Sequence, residues 1–186
     1  MIGEEQSLLL SKTQQDALLK HARTSLQVFL GCDAKEPELG CMPKRGVFVT
    51  LRKKGLLRGC IGHAVPHLTL EEAVWGLVRS AARDQRFDPV TQSEEAEISI
   101  ELSVLTPLQK VDNQSSIRIG QDGLMVQLGF KRGLLLPKVA SQRAWDREAF
   151  LSATCQKAGL DENAWKETEL EIFRFQCQVF SEETSL

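Results

Sequence analysis

Residues 98–105 read ISIELSVL, an alternation of apolar and polar side chains. Isoleucine, leucine and valine occupy the even-numbered positions 98 to 104, while serine and glutamate occupy the odd-numbered positions 99 to 103. Successive side chains of a β-strand point to opposite faces of the sheet, so this period of two predicts a strand with one buried and one polar face. The polar face carries Glu101.

The residues upstream of this strand predict a β-hairpin. Residues 47–51 read VFVTL, a β-branched and aromatic run, and residues 56–61 read LLRGCI. The sequence KKG at 53–55 lies between them and is typical of a turn. The second strand of this hairpin leads directly into the residues that could carry chemistry.

Two amphipathic helices flank the hairpin in the sequence. Ser11 and Gln14 have the spacing of a capping box, and apolar residues follow at helical spacing. Thr69 and Glu72 repeat that spacing before residues 70–81, which have the periodicity of a helix that faces a core. Both segments are therefore predicted to be helical from these caps onward.

The second half of the chain predicts a small antiparallel meander, a helix and a final strand. Three short apolar runs lie at 117–119, 124–128 and 134–136. Turn residues separate them, including the sequence KRG at 131–133. A helix is predicted from about 146 to 158. Apolar residues change parity within 168–180, which predicts one long strand with a bulge.

This order of elements predicts the fold class. Strands and helices are interspersed without a regular strand–helix–strand cadence, which favours an α+β fold with a mostly antiparallel sheet flanked by helices. The length of 186 residues is close to that of one domain, so residues 1–186 are predicted to form a single domain. No GxGxxG or Walker pattern occurs, and no cofactor is predicted.

Composition excludes several classes of protein. The 23 lysines and arginines nearly balance the 25 aspartates and glutamates, and 42% of residues are hydrophobic, which excludes a disordered chain and disfavours a nucleic-acid-coating protein. No apolar run approaches the roughly 18 residues that span a bilayer. The five cysteines are an odd number without a CxxC pair, which favours thiols in a reducing cytoplasm over disulfides.

The densest candidate site is the segment RGCIGH at residues 58–63. Its glycines allow close approach of a ligand or of another chain segment, and Arg58 beside Cys60 would favour the thiolate, which makes Cys60 a candidate nucleophile. The alternative is that Cys60 is a small buried residue in a tight turn. Cys60, His63 and His67 also have metal-ligand spacing, but Pro66 disrupts a helical presentation and no fourth ligand is near, so no metal is predicted.

Three further sets of charged residues each allow two interpretations. Asp84 and Arg86 form either a structural ion pair that closes a helix end or an anion-binding group. Glu101 lines a cleft if its face meets the glycine segment, and otherwise faces water. A local basic cluster allows nucleic-acid binding as a minor alternative to a solvated hairpin, and it comprises Arg45, Arg52, Lys53, Lys54 and Arg58.

Several of these segments together resemble the AMMECR domain family, whose bacterial and archaeal members are called AmmeMemoRadiSam system protein A. The match rests above all on the hexapeptide LRGCIG, and it runs from the first helix to the last strand. The matching segments are GVFVTL at 46–51, LRGCIG at 57–62, Asp84 with Arg86 and Phe87, ELSVL at 101–105, and LLP with VA at 135–140. His63 departs from the small or polar residue usual in the family, which counts against a metal site.

The resemblance implies an α+β fold with a larger and a smaller subdomain, a cleft between them, and no established reaction. The family's system name implies company with a Memo-like protein and a radical SAM enzyme. Because the sequence contains no complete set of acid, base and nucleophile, a binding or accessory role is predicted, with an enzyme that uses Cys60 and Arg58 as the alternative. The ligand-binding residues expected at the motif are Gly59, Ile61, Gly62, Asp84, Arg86 and Glu101.

Overall fold

Helices and antiparallel strands are interspersed along the chain, as the sequence predicts. The computed structural model describes residues 9–35, 42–167 and 169–182. The α-helices in these residues are α1 (Lys12–Phe29), α2 (Leu70–Ala81), α3 (Pro137–Gln142) and α4 (Arg147–Lys157). The strands are β1 (Val47–Lys53), β2 (Leu56–His63), β3 (Ile98–Leu105), β4 (Gln109–Lys110), β5 (Gly123–Leu128), β6 (Lys131–Leu135), β7 (Glu171–Phe175) and β8 (Cys177–Ser181). The predicted α+β class is confirmed.

The chain divides into two units, of which the first comprises residues 1–105 and 178–186. Its sheet has the strand order β2-β1-β3-β8, and β1 is antiparallel to both β2 and β3. Helices α1 and α2 pack on one face, where Val47, Val49 and Leu51 are fully buried in the core. The intervening residues Phe48 and Thr50 therefore belong to the opposite face. The prediction of a single domain over the whole chain stays a prediction.

The helix starts follow the predicted caps. Ser11 accepts from the backbone N–H of Gln14, and the Gln14 side chain accepts from the backbone N–H of Ser11. Thr69 and Glu72 form the corresponding capping box at the start of α2. These short-range bonds satisfy backbone N–H groups that the helix itself leaves unpaired, so both predictions from local spacing are confirmed.

The second unit, residues 106–177, contains a sheet of strand order β4-β7-β5-β6 with α4 packed on β5 and β6. The prediction of a turn at 131–133 is wrong, because these residues begin β6. A Cβ atom at Gly133 would lie 2.8 Å from Cα of Ala158, so this glycine permits the close approach of α4. The predicted strand at 117–119 is also wrong, since a short 3₁₀ helix precedes Ile117 and no strand includes it.

The prediction of one long bulged strand at the end of the chain is wrong as well. Two strands occupy this segment: β7 lies in the second sheet, and β8 lies next to β3 in the first. Between them, Gln176 exchanges two hydrogen bonds with Thr106, at 2.8 and 2.9 Å. The chain therefore changes sheet at Gln176, whereas the change of parity, between Ile172 and Phe173, lies within β7. Thr168 lies outside the described residues.

Within the described residues, no helix is long and apolar enough to cross a bilayer. Cys32, Cys60, Cys155 and Cys177 carry free thiols in the structure. Cys41, the fifth cysteine, lies outside the described residues.

Candidate functional site

Cys60 lies on β2, at the edge of the first sheet, in a row with Thr50 and Glu101. The register pairs Cys60 with Thr50 of β1, and Thr50 with Glu101 of β3. Directly opposed residues of antiparallel strands share a face, so the three side chains cross the sheet on the face opposite the helices. The Thr50 hydroxyl donates a hydrogen bond to Sγ of half-buried Cys60 over 3.2 Å. Glu101 therefore shares a face with Cys60 but lies two strands away.

The backbone of Cys60 is held on both sides by an arginine–aspartate pair, which we call the Cys60 clamp. Oδ2 of Asp84 accepts from the Cys60 backbone N–H at 2.9 Å, and Nη2 of Arg86 donates to the Cys60 carbonyl at 3.3 Å. The Arg86 guanidinium also donates twice to the Asp84 carboxylate, at 2.6 and 3.0 Å. The clamp thus satisfies backbone groups that an edge strand would otherwise expose.

The charge state of the clamp follows from these bonds. Hydrogen bonds from the Arg86 guanidinium, joined by the backbone N–H groups of Cys60 and Arg86, hold the pKa of Asp84 well below its usual range against the opposing effect of burial. The Asp84 side chain is only 4% exposed, whereas that of Arg86 is 57% exposed. Asp84 is therefore an ionised, buried anchor, and Arg86 is the part of the clamp that reaches solvent.

Two glycines beside Cys60 allow other groups to come close to the strand. A Cβ atom at Gly59 would lie 3.0 Å from the carbonyl carbon of Ala81 and closer still to its oxygen, so the end of α2 packs directly on this residue. A Cβ atom at Gly62 would overlap the ring of Phe48 on β1. Ile61 packs against the core of the first unit. Three of the predicted ligand-binding residues, Gly59, Ile61 and Gly62, therefore make packing contacts within the first unit.

Arg58 points its guanidinium to a loop and not to the thiol. Its Nε and Nη2 atoms donate to the two carboxylate oxygens of Glu94, both at 3.1 Å, and its remaining donors bind the carbonyls of Asp88 and Pro89 at 2.7 and 3.2 Å. The hydrogen bonds from Arg58, and next from the backbone N–H of Thr91, hold the pKa of Glu94 well below its usual range. The role of Arg58 as partner of a thiolate or substrate anion stays a prediction.

An open concavity of about 530 Å³ lies beside the motif. Arg58 forms part of its wall, and the loop after α2 supplies the rest, namely Gln85, Arg86, Phe87 and Asp88. Gln85 and Arg86 are exposed and Phe87 is half-buried. We call this feature the motif concavity.

The basic cluster of the hairpin is largely neutralised by acidic residues. Four of its five members make ion pairs, and Glu94, Glu97 and Glu101 supply the carboxylates. The pairs are Arg52 with Glu101 at 3.8 Å, Lys53 with Glu94 at 3.0 Å, Lys54 with Glu97 at 2.8 Å, and Arg58 with Glu94 at 3.1 Å. Since these charges are paired, the hairpin offers a nucleic-acid backbone little positive field. Binding of nucleic acid stays a minor prediction.

His63 and His67 lie near each other, in the wall of a small cavity that also contains Arg45. Among the residues that the structure describes, no three histidine, cysteine, aspartate or glutamate side chains are grouped so that they could hold a metal ion. Cys60, His63 and His67, which have metal-ligand spacing in the sequence, therefore do not form such a group among the described residues.

Two residues of the site were missed by the sequence analysis. Thr50 contacts the thiol, but only the strand register identifies it. Glu94 anchors Arg58, and its signal is the capping-box spacing with Thr91, which the structure shows at the start of the 3₁₀ helix Gln92–Glu97. That spacing would have placed a carboxylate at a helix start without identifying Arg58 as its partner.

Comparison with known proteins identifies the family. The AMMECR1 family model matches residues 5–180. A protein of Methanothermobacter thermautotrophicus is 41% identical over 98% of this chain and 97% of its own length, and one of Methanosarcina mazei is 42% identical over 94% of each. The crystal structure of the uncharacterized protein PH0010 from Pyrococcus horikoshii is similar with a TM-score of 0.76, at 36% identity over 90% of each chain. With its motif, its fold and these relatives in agreement, the chain belongs to the AMMECR1 family.

Proposed function

We propose that this protein is a binding or accessory component that docks a partner protein through the motif concavity beside Cys60. We further propose that its partners are a Memo-like protein and a radical SAM enzyme of the same system. The observation that carries the proposal is that the charged groups around Cys60 bind one another and the backbone. Asp84, Arg86 and Arg58 therefore hold the shape of a surface.

The two carboxylates that bind the arginines of this surface, Asp84 and Glu94, are unsuited to proton transfer. A general acid or base works best when its pKa is near the working pH. Asp84 and Glu94 both have a pKa well below the usual carboxyl range because arginine and backbone N–H groups bind their ionised forms. Neither carboxylate would exchange a proton near neutral pH, which favours docking over acid–base catalysis.

The exposed side chains of the motif concavity suit a protein contact. Arginine and aromatic residues contribute most often to the energetic centre of an interface. Arg86 is more than half exposed while its position is fixed by Asp84, and Phe87 lies half-buried beside it. A guanidinium held in place loses little conformational entropy on binding, so this arrangement favours association.

A steric block tests the docking proposal. Gln85→Trp adds bulk to an exposed position in the concavity, and we expect it to weaken binding of the Memo-like or the radical SAM protein of the same genome at least about tenfold. Biolayer interferometry with purified proteins measures this affinity. Lys20→Trp, the same addition of bulk on the exposed surface of α1, is the control and should leave binding unchanged. Equal affinity of the Gln85→Trp and Lys20→Trp proteins, or no binding of either partner by the unsubstituted chain, contradicts the proposal.

An enzyme that uses the Cys60 thiol is the second candidate. One observation favours it. The Arg86 guanidinium donates a hydrogen bond to the backbone carbonyl of Cys60, whose thiol-bearing side chain is half-buried. A cation near a cysteine promotes its reactivity. The Asp84 carboxylate, however, binds the same guanidinium and offsets its charge.

Alkylation rates distinguish the two candidates. If the Asp84 charge offsets Arg86, Cys60 should react with iodoacetamide at pH 7 within about threefold of the rate of Cys32, another half-buried thiol. Peptide mass spectrometry over a time course measures both rates in one sample. A Cys60 rate more than about tenfold above that of Cys32, reduced by Arg86→Gln, would instead support the reactive thiol.

A further inference from the structure

A second, much smaller cavity lies in the first unit, at the end of β2 where the chain leads toward α2. Its volume is about 70 Å³. Three of its wall residues carry nitrogen donors, namely Arg45, His63 and His67, and the rest are apolar, among them Val47, Val65 and Leu68. We call it the Arg45 cavity.

Arg45 is the member of the basic cluster for which no ion pair is found among the described residues. Its Nη1 atom is buried and has no hydrogen-bond partner. Burial lowers the pKa of Arg45, and no carboxylate contributes an opposing effect. Removing a guanidinium group from water without a partner is costly, so the buried Nη1 atom of this half-buried side chain indicates a missing anion.

We propose that the Arg45 cavity binds the carboxylate group of a small organic acid. The planar guanidinium matches a carboxylate with two parallel hydrogen bonds, and the imidazoles of His63 and His67 carry ring N–H groups that can donate to the same oxygens. This site is separate from the motif concavity, and it does not depend on the docking proposal.

The walls of the cavity favour a carboxylate over other ligands. A phosphate has more oxygen acceptors than a carboxylate, and the apolar walls would leave its further oxygens unsatisfied. The side chains of Val47, Val65 and Leu68 instead suit a short aliphatic tail. A cation is disfavoured because the positive charge of Arg45 forms part of the wall.

Propionate is the probe for this site, and isothermal titration calorimetry at constant ionic strength is the measurement. We expect propionate to bind the unsubstituted protein, and propionamide, which has the same shape without the charge, to bind at least about tenfold more weakly. Arg45→Gln should lose propionate binding to a similar extent. Arg79→Gln, a change of the same kind at an exposed arginine of α2, should retain it.

The same variants give a readout that does not depend on the ligand. Without propionate, Arg45→Gln should melt at the same or a higher temperature than the unsubstituted protein, because it removes a charged group that is partly buried without an ion pair among the described residues. Val65→Phe, which leaves Arg45 in place and fills the cavity, should also lose propionate binding. Propionamide binding equal to propionate binding, phosphate binding tighter than propionate binding, or full propionate binding by Arg45→Gln would each overturn the proposal.

Discussion

Gly59→Ala is expected to lower the free energy of unfolding by about 3 kcal/mol, the upper end of the usual cost of overpacking. The new methyl group would lie 3.0 Å from the carbonyl carbon of Ala81 and closer to its oxygen. These are backbone atoms at the end of α2, so relief of the overlap requires movement of the helix relative to the strand. Such a change should lower the melting temperature by roughly 6–12 °C in a chain of this length.

The control for this prediction is a glycine on α2, the helix that packs on Gly59. Gly76 is exposed on α2, and a Cβ atom there would have no heavy atom within 4 Å. Because glycine is a poor helix former, Gly76→Ala should raise the free energy of unfolding by about 0.5–1 kcal/mol. Urea denaturation followed by circular dichroism measures both variants. If Gly59→Ala is as stable as the unsubstituted chain, the direct packing of α2 on β2 is wrong.

Asp84→Ala is expected to lower the free energy of unfolding by about 2–3 kcal/mol at pH 7, which is the second large effect. The substitution removes the acceptor for the Cys60 backbone N–H and leaves Arg86 without its ion pair. Arg86 is exposed enough for water to hydrate its charge, which keeps the cost below that of a fully buried pair. Asp84→Asn keeps one oxygen for the Cys60 N–H and should cost less than Asp84→Ala.

The cost of losing Asp84 should depend on pH. The pKa of this carboxyl is lower in the folded chain than in the unfolded chain, so the folded state binds fewer protons at acidic pH. The stabilisation is therefore fully present above the unfolded pKa of about 3.9, and it is lost as the pH falls toward the folded pKa. Glu94 follows the same direction, so only the difference between the unsubstituted chain and Asp84→Asn isolates Asp84.

Urea denaturation at pH 7, 5 and 3 checks this difference. We expect it to be constant between pH 7 and 5 and to narrow at pH 3. Asp88→Asn, at an exposed carboxyl in the same loop, is the control. Its free energy of unfolding should stay within about 0.5 kcal/mol of that of the unsubstituted chain at each pH. A stability difference between the unsubstituted chain and Asp84→Asn that widens toward pH 3 would contradict the proposed charge state of the Cys60 clamp.

The sequence predicts which residues belong to the candidate site better than it predicts which of them bind one another. Cys60, Asp84 and Arg86 are singled out by the sequence, and the structure brings them into one hydrogen-bonded group. Sequence proximity suggested Arg58 as the cation beside Cys60, whereas Arg86 is the guanidinium bound to its backbone. Arg58 lies two positions from Cys60 on a strand with a register shift, and its guanidinium instead reaches the 3₁₀ helix that carries Glu94.

The errors in the fold have the same origin. The residues at 131–133 have a sequence typical of a turn, but they lie in β6. Gly133 is glycine there because the end of α4 packs directly on it. The last segment has the pattern of one bulged strand, but it forms two strands that lie in different sheets and are separated at Gln176. In both cases the deciding neighbours are far away in the sequence, so no local pattern records them.

The amino-acid sequence by itself determined the elements of this protein whose energetics are local. The capping boxes at Ser11 and Thr69, the hairpin and the alternation at 98–105 depend on residues within a few positions of one another. Only the tertiary structure decided which charges are paired around Cys60. It alone also shows that Arg45 lies in a cavity wall and that its Nη1 atom has no hydrogen-bond partner among the described residues. The physical reason is that hydrogen bonds and burial depend on atoms that folding brings together from distant parts of the chain.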